Sequence, residues 1–459
     1  MIVGFDLLVT GGSVVSATGR QASDLLVRDG KVSAVLQPGA GEGIEVSEIL
    51  DASGLLIFPG MVDLHVHIGE PGKTEKEDIG TGTRAAAAGG VTTAVIMPNC
   101  IPPVNSAEAL VRRAELFEKK SFVDFALLGG AGGESIDTIV EQAEAGAVGY
   151  KSYVGAYRSD RPGLLCRDTA DLYQVLEKSA EVDRFVGYHC EDSRTIALLR
   201  NRLLDAGRVD FRAYHESRPE FTESLATVAL LEIARETGGR LHLVHMSSPW
   251  AIELANLYWA HGTCVTVETC PHYLVFSEED TARLGPYAQV APPLRSLEAV
   301  DAIWGLIEDG SIDIIATDHA PGTPDEKVRG KHNIFEGGGG LPAVDVVWPL
   351  MLNEVNRGRV AAESLVSLMA ERPARMARIY PQKGSLLPGS DADMVLVDMD
   401  EVHHLSADRS YTKHRDSATI YDGIEIVGRV KTVLQRGRVL SRDGVLYVEK
   451  PIGAHWVRP

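Results

Sequence analysis

Eight short apolar stretches alternate with longer segments of helical periodicity through the middle of this chain. The stretches are 60–67, 92–97, 122–128, 148–154, 184–189, 241–245, 264–275 and 312–317, and the clearest helical segments are 106–119, 135–145, 170–179, 224–236 and 297–308. Such alternation is typical of parallel strands joined by helices, and eight strand–helix units make a TIM-like (β/α)8 barrel. We therefore predict an α/β fold with this barrel at residues 59–383 and a functional site at the carboxyl ends of its strands.

The two ends of the chain have a different pattern from the middle. Residues 1–58 and 384–459 contain short alternating runs, such as 24–28, 31–36 and 427–435, separated by glycine-containing turns. This pattern is typical of antiparallel strands and hairpins. Because both ends share it, we predict a smaller β-sandwich domain that is built from the two termini.

Polar side chains recur where the predicted barrel strands end. His65 and His67 lie two residues apart at the end of the first strand, so both point to one face, while Leu64 and Val66 should face an apolar layer. Later strands end near four further candidates: Lys151, His189, His245 and Asp318. Each of these residues alone could merely cap a loop or form an ion pair. Six of them at one rim predict a metal centre.

The residue types suit a site with two metal ions. Neutral imidazoles and a carboxylate are ligands that zinc prefers, and two divalent ions together activate water and polarise a carbonyl group. Burial beside cations favours the neutral amine of Lys151, which can add carbon dioxide and become an anionic carbamate. We therefore predict two zinc ions, or two ions of a similar divalent metal, and N6-carboxylation of Lys151. A buried ion pair is the alternative for this lysine.

The motifs around these positions resemble those of the cyclic amidohydrolases, the group of dihydroorotases, allantoinases and hydantoinases (dihydropyrimidinases). Matching motifs span nearly the whole chain: Asp63-Leu64-His65-Val66-His67, Glu70-Pro71-Gly72, Gly89-Gly90-Val91-Thr92-Thr93, Met97-Pro98-Asn99, Gly149-Tyr150-Lys151, His189-Cys190-Glu191-Asp192, His245-Met246-Ser247-Ser248 and Ala316-Thr317-Asp318-His319-Ala320-Pro321. As a set, these motifs are highly specific.

The resemblance implies both a ligand set and a reaction. One metal ion would be bound by His65, His67 and Asp318, the other by His189 and His245, with carboxylated Lys151 bridging the two. Asp318 would receive the proton of the attacking nucleophile and pass it to the departing ring nitrogen. The reaction would be hydrolytic opening of a small cyclic amide or ureide.

The positions that determine substrate specificity in dihydroorotases carry different residues in this chain. Dihydroorotases bind the substrate carboxylate through an arginine, an asparagine and a histidine at positions that here read Gly69, Ala291 and Gly322, and only Asn99 matches. An unpaired carboxylate in a dry pocket is costly, so we expect a neutral ring, as in allantoinases and hydantoinases. The allantoinase pattern departs too, because Met97-Pro98-Asn99 looks more like dihydroorotase.

The alternative is a dihydroorotase whose carboxylate site is rearranged, with an arginine from another loop. The candidates for that arginine are Arg84, Arg158, Arg161 and Arg329. Tyr157 lies six residues after Lys151, one further than the hydantoinase tyrosine that supports the developing oxyanion, so it has either this role or a packing role. Asn99, Tyr157, Ala291 and Gly322 are thus the candidate substrate-binding positions. A remote alternative is a non-catalytic, dihydropyrimidinase-related scaffold, but such relatives lose the ligands.

Charge and cysteine content exclude several partners and environments. The net charge is −19, which disfavours binding to nucleic acid or to an anionic membrane. Five scattered cysteines form no C-x-x-C pair, and Met1 leads directly into a strand-like run without a signal-peptide pattern. We expect a cytoplasmic protein without membrane segments. By analogy with its relatives, we expect a homodimer or homotetramer.

Overall fold

A computed structural model of the chain describes residues 4–155 and 163–452. The first part of the chain forms short strands outside the barrel. These strands are β1 (Phe5–Thr10), β2 (Ser13–Ser16), β3 (Gly19–Ala22), β4 (Asp24–Arg28), β5 (Lys31–Leu36), β6 (Val46–Asp51) and β7 (Leu56–Pro59). Four of them form one sheet in the order β5-β4-β1-β6.

In the described part of the chain, the centre of the molecule is a nearly closed barrel of eight parallel strands, which confirms the predicted fold class. The eight barrel strands are β8 (Met61–Val66), β9 (Val91–Ile96), β10 (Asp124–Gly130), β11 (Gly149–Val154), β13 (Phe185–His189), β14 (Arg240–Leu243), β15 (Val265–Thr269) and β16 (Ile314–Ile315). A short strand, β12 (Leu165–Cys166), pairs with β11 beside the barrel. Asp63 helps to close the ring, because its carboxylate accepts hydrogen bonds from Thr317 N at 3.0 Å and Thr317 Oγ1 at 2.6 Å.

Helices surround the barrel and follow most of its strands. They are α1 (Ile79–Gly89), α2 (Ala107–Lys120), α3 (Ile139–Glu144), α4 (Thr169–Glu181), α5 (Ser193–Asp205), α6 (Phe211–Ser217), α7 (Glu220–Thr237), α8 (Pro249–Ala260), α9 (Pro271–Val275), α10 (Glu278–Leu284), α11 (Leu297–Glu308), α12 (Pro324–His332), α13 (Val347–Asn356), α14 (Ala362–Val366) and α15 (Arg372–Met376). Within the described ranges, none of these helices combines the length and apolar character needed to cross a bilayer.

The last strands of the chain join the first ones. They are β17 (Met394–His404), β18 (Glu425–Gln435), β19 (Arg438–Arg442) and β20 (Val445–Leu446). The second terminal sheet has the order β20-β19-β18-β17-β7-β2-β3, so it contains strands from both ends. Apolar side chains of both terminal sheets, such as Leu25, Val27 and Met394, pack in one buried cluster. This is the predicted β-sandwich; the residue boundaries 1–58, 59–383 and 384–459 stay predictions.

Two local expectations are wrong. The stretch 264–275 is not one strand, because β15 ends at Thr269 and Pro271 begins helix α9. Leu64 and Val66 do not share one apolar layer: Leu64 packs inside the barrel with Val62, whereas Val66 belongs to the larger outer core. The pairing register of β8 with β9 shifts between Asp63 and Val66, and this irregularity breaks the simple alternation of faces.

Candidate active site

The six residues predicted to bind metal come together at the carboxyl ends of the barrel strands. His65 and Lys151 lie within β8 and β11, and the other four residues end or follow β8, β13, β14 and β16. A cavity of about 530 Å³ opens at this rim, and His67, His189, His245 and Asp318 line it. His65 and Lys151 are fully buried beside the cavity. Topology therefore gathers residues that are up to 253 positions apart in the chain, from His65 to Asp318.

His65, His67 and Asp318 form the first group. The Nε2 atoms of both histidines lie 3.3 Å from Asp318 Oδ1, and the ligand atoms of all three residues lie within 4.8 Å of one another. Burial lowers the pKa of His67 to about 4, so its ring is neutral at pH 7. Burial opposes ionisation of Asp318, but the surrounding histidines outweigh it and hold the pKa of Asp318 well below its usual range. This group could hold a divalent cation.

Glu268 orients the ring of His65 and selects its tautomer. Its carboxylate accepts a hydrogen bond from His65 Nδ1 at 2.8 Å and another from the backbone N of His245 at 3.0 Å. A ring that donates from Nδ1 carries its lone pair on Nε2, which here faces Asp318. Two acceptor atoms in such proximity repel each other unless a cation lies between them, so the donor set fits a metal ion.

His189 and His245 form the second group. His189 Nδ1 lies 3.1 Å from His245 Nε2, and the two ring centroids are 4.8 Å apart. Glu191 accepts a hydrogen bond from His189 Nε2 at 2.7 Å, which leaves the lone pair on Nδ1. Two nitrogens that each lie about 2.1 Å from one zinc ion are separated by about 3 to 3.5 Å, so this spacing also fits a cation.

Lys151 belongs to the same cluster. Its Nζ lies 4.8 Å from the ring centroid of Tyr153, and that ring lies 5.5 Å from the ring of His189. Burial lowers the pKa of His67 and His245, and the positive charge of Lys151 lowers both further. Positive charges on Lys151 and on these two histidines therefore disfavour one another.

The backbone is strained at two of the candidate ligands. His245 has φ 43° and Asp318 has φ 46°, so both adopt the left-handed conformation that side chains with a Cβ disfavour. Each such residue costs about 1 to 3 kcal/mol, and strain of this kind concentrates at functional sites. Both residues follow the end of a barrel strand, and the turn aims their side chains at the cavity.

A contact from the C-terminal part of the chain supports the residue after Asp318. Ala343 N donates to His319 Nδ1 at 3.1 Å, so the ring proton is on Nε2 and is donated to Glu77 at 3.2 Å. Glu77 also accepts hydrogen bonds from the side chain of Thr412 and from the backbone N of Lys413. The C-terminal part thus helps to hold the loop that carries Asp318.

The sequence interpretation missed these supporting carboxylates. Glu268 interrupts the apolar pattern of β15, and Glu191 stands inside the motif His189-Cys190-Glu191-Asp192, so both could have been noticed as charged residues at strand ends. Neither signal names a partner, because Glu268 and His65 are 203 positions apart. Their roles depend on tertiary contacts.

The candidate substrate positions are distributed unevenly. Asn99 and Ala291 line the cavity, as does Gly69. Gly322 is not among the described residues that line it, and Tyr157 lies outside the described residues, as do Arg158 and Arg161. Arg84 packs against the ring of Phe122 at 4.6 Å.

Several cationic side chains that were not singled out also border the cavity. They are Lys73, Lys76, Arg200 and Arg218, together with the predicted Arg329. Arg218 pairs with Glu191, and Lys76 pairs with Glu326 at 2.6 Å, which neutralises two of these charges. Arg200 lies against the ring of Phe335 at 5.4 Å.

Comparison with known proteins gives consistent matches. Residues 56–440 match the profile of the Amidohydrolase family. The chain is 34% identical to an L-hydantoinase of Paenarthrobacter aurescens, covering 98% of this chain and 97% of the relative, and 35% identical to an allantoinase of Bacillus velezensis, covering 96% and 95%. The solved structure of L-hydantoinase (dihydropyrimidinase) from Arthrobacter aurescens superposes with a TM-score of 0.95 at 33% identity, covering 99% of this chain and 100% of that chain. A D-hydantoinase structure has a TM-score of 0.88 at 26% identity, covering 98% of both chains.

Proposed function

The chain belongs to the amidohydrolase family, and we propose that it is a metal-dependent enzyme that hydrolyses the C–N bond of a neutral cyclic amide or ureide. The observation that carries this proposal is the cluster of imidazole nitrogens and one carboxylate at the rim. His65 Nε2 faces Asp318, and His189 Nδ1 faces His245 Nε2, at distances that fit cations. Relatives named hydantoinase and allantoinase support the class of ring.

We propose that the rim holds two divalent cations, zinc or a similar metal. One ion would be held by His65, His67 and Asp318, the other by His189 and His245, with Lys151 bridging both after N6-carboxylation. When bound, the two ions lower the pKa of water and polarise the amide carbonyl group. Carboxylation joins the neutral Lys151 amine to the carbon of carbon dioxide with loss of one proton, so an anion replaces a cation beside His67 and His245.

Asp318 is the proposed proton carrier. Its carboxylate is ionised, because the nearby histidines hold its pKa well below the usual range. It would accept the proton of the attacking water on one oxygen, and deliver it to the ring nitrogen as the C–N bond breaks. Glu268 and Glu191 would keep His65 and His189 in the tautomers that the site needs.

The cavity favours a neutral ring over one that carries a carboxylate. A Cβ at Gly69 would lie 2.1 Å from the carbonyl oxygen of Lys73, so an arginine side chain does not fit there unless the loop moves. A Cβ at Gly322 would lie 3.0 Å from Lys327 Cε, and Ala291 offers only a methyl group. Among the described residues, Lys73, Arg200 and Arg329 are the cations that the dihydroorotase alternative could use. The six retained polar residues argue against the non-catalytic scaffold.

A substrate panel with metal analysis tests the proposed function. We expect about two divalent ions per chain by elemental analysis, and kcat/KM for hydantoin, allantoin or dihydrouracil at least about 100-fold above that for dihydroorotate, because a buried unpaired carboxylate is costly. Protein treated with a chelator serves as the control and should be inactive until metal is added. Preference for dihydroorotate would establish the alternative, and full activity without metal would overturn the mechanism.

We also propose that the protein is a homodimer or homotetramer. Phe221, Leu225 and Val228 on α7 lie beside Trp250 and Leu257 on α8, and each is between 37% and 58% exposed. The spacing within each helix places these side chains in one stripe, and the two helices pack side by side. An exposed apolar face of this kind is typical of an interface between protein chains, and a second copy can cover it symmetrically.

Charge substitution on this apolar face is expected to reduce the mass of the particle. The double variant Leu225→Glu and Trp250→Glu should dissociate, because four carboxylates would meet across a two-fold interface. Light scattering coupled to gel filtration gives the mass. Leu387→Glu is the matched control, since Leu387 is 50% exposed outside this face. A monomeric wild-type protein would contradict the proposed assembly.

We propose a reducing compartment, the cytoplasm, as the location. All five cysteines lie in the described ranges and none forms a disulfide, and four of them are buried. Proteins in oxidising compartments commonly use such residues for disulfides. Labelling of free thiols in protein isolated under non-reducing conditions tests this placement, and should count five thiols per unfolded chain.

A further inference from the structure

We infer that Tyr153 and Asn99 together recognise the scissile amide of the ring, so that the enzyme selects rings with an unsubstituted N–H beside the attacked carbonyl group. This inference rests on the proposed function and deepens it by naming a feature of the substrate. Tyr153 belongs to β11, two residues after Lys151, so both side chains point to the inside of the barrel rim. Asn99 follows β9, which is separated from β11 by β10, and it lines the same cavity.

The two side chains are joined to each other at the edge of the cavity. Asn99 Nδ2 donates a hydrogen bond to Tyr153 Oη at 2.8 Å, and both residues line the cavity. The ring of Tyr153 lies 5.5 Å from the ring of His189, which places the phenol beside the candidate metal ligands. A ring amide bound against those ligands would therefore meet this pair.

The hydrogen-bonding capacity of the pair matches an amide edge. Because Tyr153 Oη accepts from Asn99, the phenolic proton is donated in another direction. Asn99 Oδ1 is buried and has no hydrogen-bond partner among the described residues, so it offers an acceptor. If the amide of Asn99 were turned over, Tyr153 would donate to Asn99, and the pair would still present one donor and one acceptor.

A lactam amide is held in the cis form by its ring, so its C=O and N–H point to the same side. A donor and an acceptor that lie next to each other on the protein can therefore bind the C=O and the N–H of this amide at the same time. The Tyr153 hydroxyl would donate to the attacked carbonyl oxygen, where negative charge develops, and Asn99 Oδ1 would accept from the ring N–H. A methyl group on that nitrogen would remove the donor and collide with Asn99.

The test compares three rings of closely similar size on the metal-loaded enzyme: hydantoin, 3-methylhydantoin and 1-methylhydantoin. Only 3-methylhydantoin lacks the N–H of the scissile amide. We expect wild-type kcat/KM for it to fall about 10- to 100-fold below that for hydantoin, with 1-methylhydantoin within about threefold. In Asn99→Ala, the preference for hydantoin over 3-methylhydantoin should shrink to about threefold or less.

Tyr153→Phe removes only the hydroxyl group. We expect kcat for hydantoin to fall about 10- to 100-fold with unchanged metal content, because the loss falls on the transition state. The matched control is Tyr150→Phe. Tyr150 lies on the opposite face of β11, where its hydroxyl donates to the carbonyl oxygen of Ile139, so the Tyr150→Phe enzyme should keep the wild-type kcat. If the wild type opens hydantoin but Asn99→Ala keeps the wild-type preference for hydantoin over 3-methylhydantoin, this inference alone is overturned. The same holds if Tyr153→Phe keeps the wild-type kcat. Failure of the metal-loaded wild type to open any ring overturns the proposed function, and this inference with it.

Discussion

Lys151→Ala is expected to leave a folded protein that has lost both metal ions and nearly all activity. Lys151 is fully buried among the candidate ligands, and its carbamate would be the one anion shared by both ions. Without that bridge, the remaining five candidate ligands would have to bind two neighbouring cations, and no shared anion would offset the repulsion between the cations. We expect turnover to fall by at least about 1,000-fold, as measured by ring opening, together with loss of metal by elemental analysis.

Chemical rescue distinguishes a carbamate from an ordinary lysine. The space left by Lys151→Ala should admit acetate or propionate, which supply the missing carboxylate and should restore part of the metal content and activity. Lys151→Gln is the matched control, because its side chain fills the space, cannot be carboxylated and should not respond to added acids. Wild-type metal content in Lys151→Ala would contradict a bridging role. Intact mass of the wild-type protein should show one added carbon dioxide per chain.

Asp318→Asn is expected to keep the metal ions and lose turnover. The amide retains an oxygen at the position of Oδ1, 3.3 Å from His65 Nε2 and His67 Nε2, but it cannot accept and carry a proton at pH 7. General acid–base catalysis is typically worth about 10²- to 10⁴-fold, so kcat should fall by this factor while elemental analysis still detects the metal.

Asp313→Asn is the control for this substitution. Asp313 lies just before β16 at the opposite end of the barrel, where its carboxylate accepts a hydrogen bond from Val267 N at 2.9 Å. Its replacement should leave kcat within about twofold of wild type, since surface and distant substitutions rarely change catalysis. An Asp318→Asn enzyme with undiminished kcat would remove the proton carrier from the mechanism. Loss of metal in this variant would indicate that Asp318 acts chiefly as a ligand.

Much of the barrel could be predicted because its signals are local. Strand alternation and helical periodicity are properties of neighbouring residues, and α11 begins and ends at the residues that its pattern predicts, Leu297 and Glu308. The stretch 264–275 misled for the same reason: Cys270-Pro271 separates two apolar segments that form a strand and a helix, and composition alone does not distinguish them.

The six rim residues could also be predicted from the sequence, although their roles as ligands stay a prediction. Barrel topology brings all strand ends to one rim, so position along the strand was sufficient to group His65 with Asp318. The prediction that Leu64 and Val66 face one apolar layer was wrong, because the register of β8 shifts against β9. Such a shift depends on how the two strands fit together, and no local sequence pattern indicates it.

The order of strands and helices, the two-ended sandwich and the polar residues at the rim follow from side-chain periodicity and chain order, so they can be read from the chain alone. Which atoms face each other depends on the folded protein. The bond from Glu268 to His65 spans 203 positions and the bond from Asn99 to Tyr153 spans 54, and both depend on the curvature of the barrel. Hydrogen bonds require atoms to approach within about 3 Å in a narrow range of angles, and only the packed chain sets that geometry.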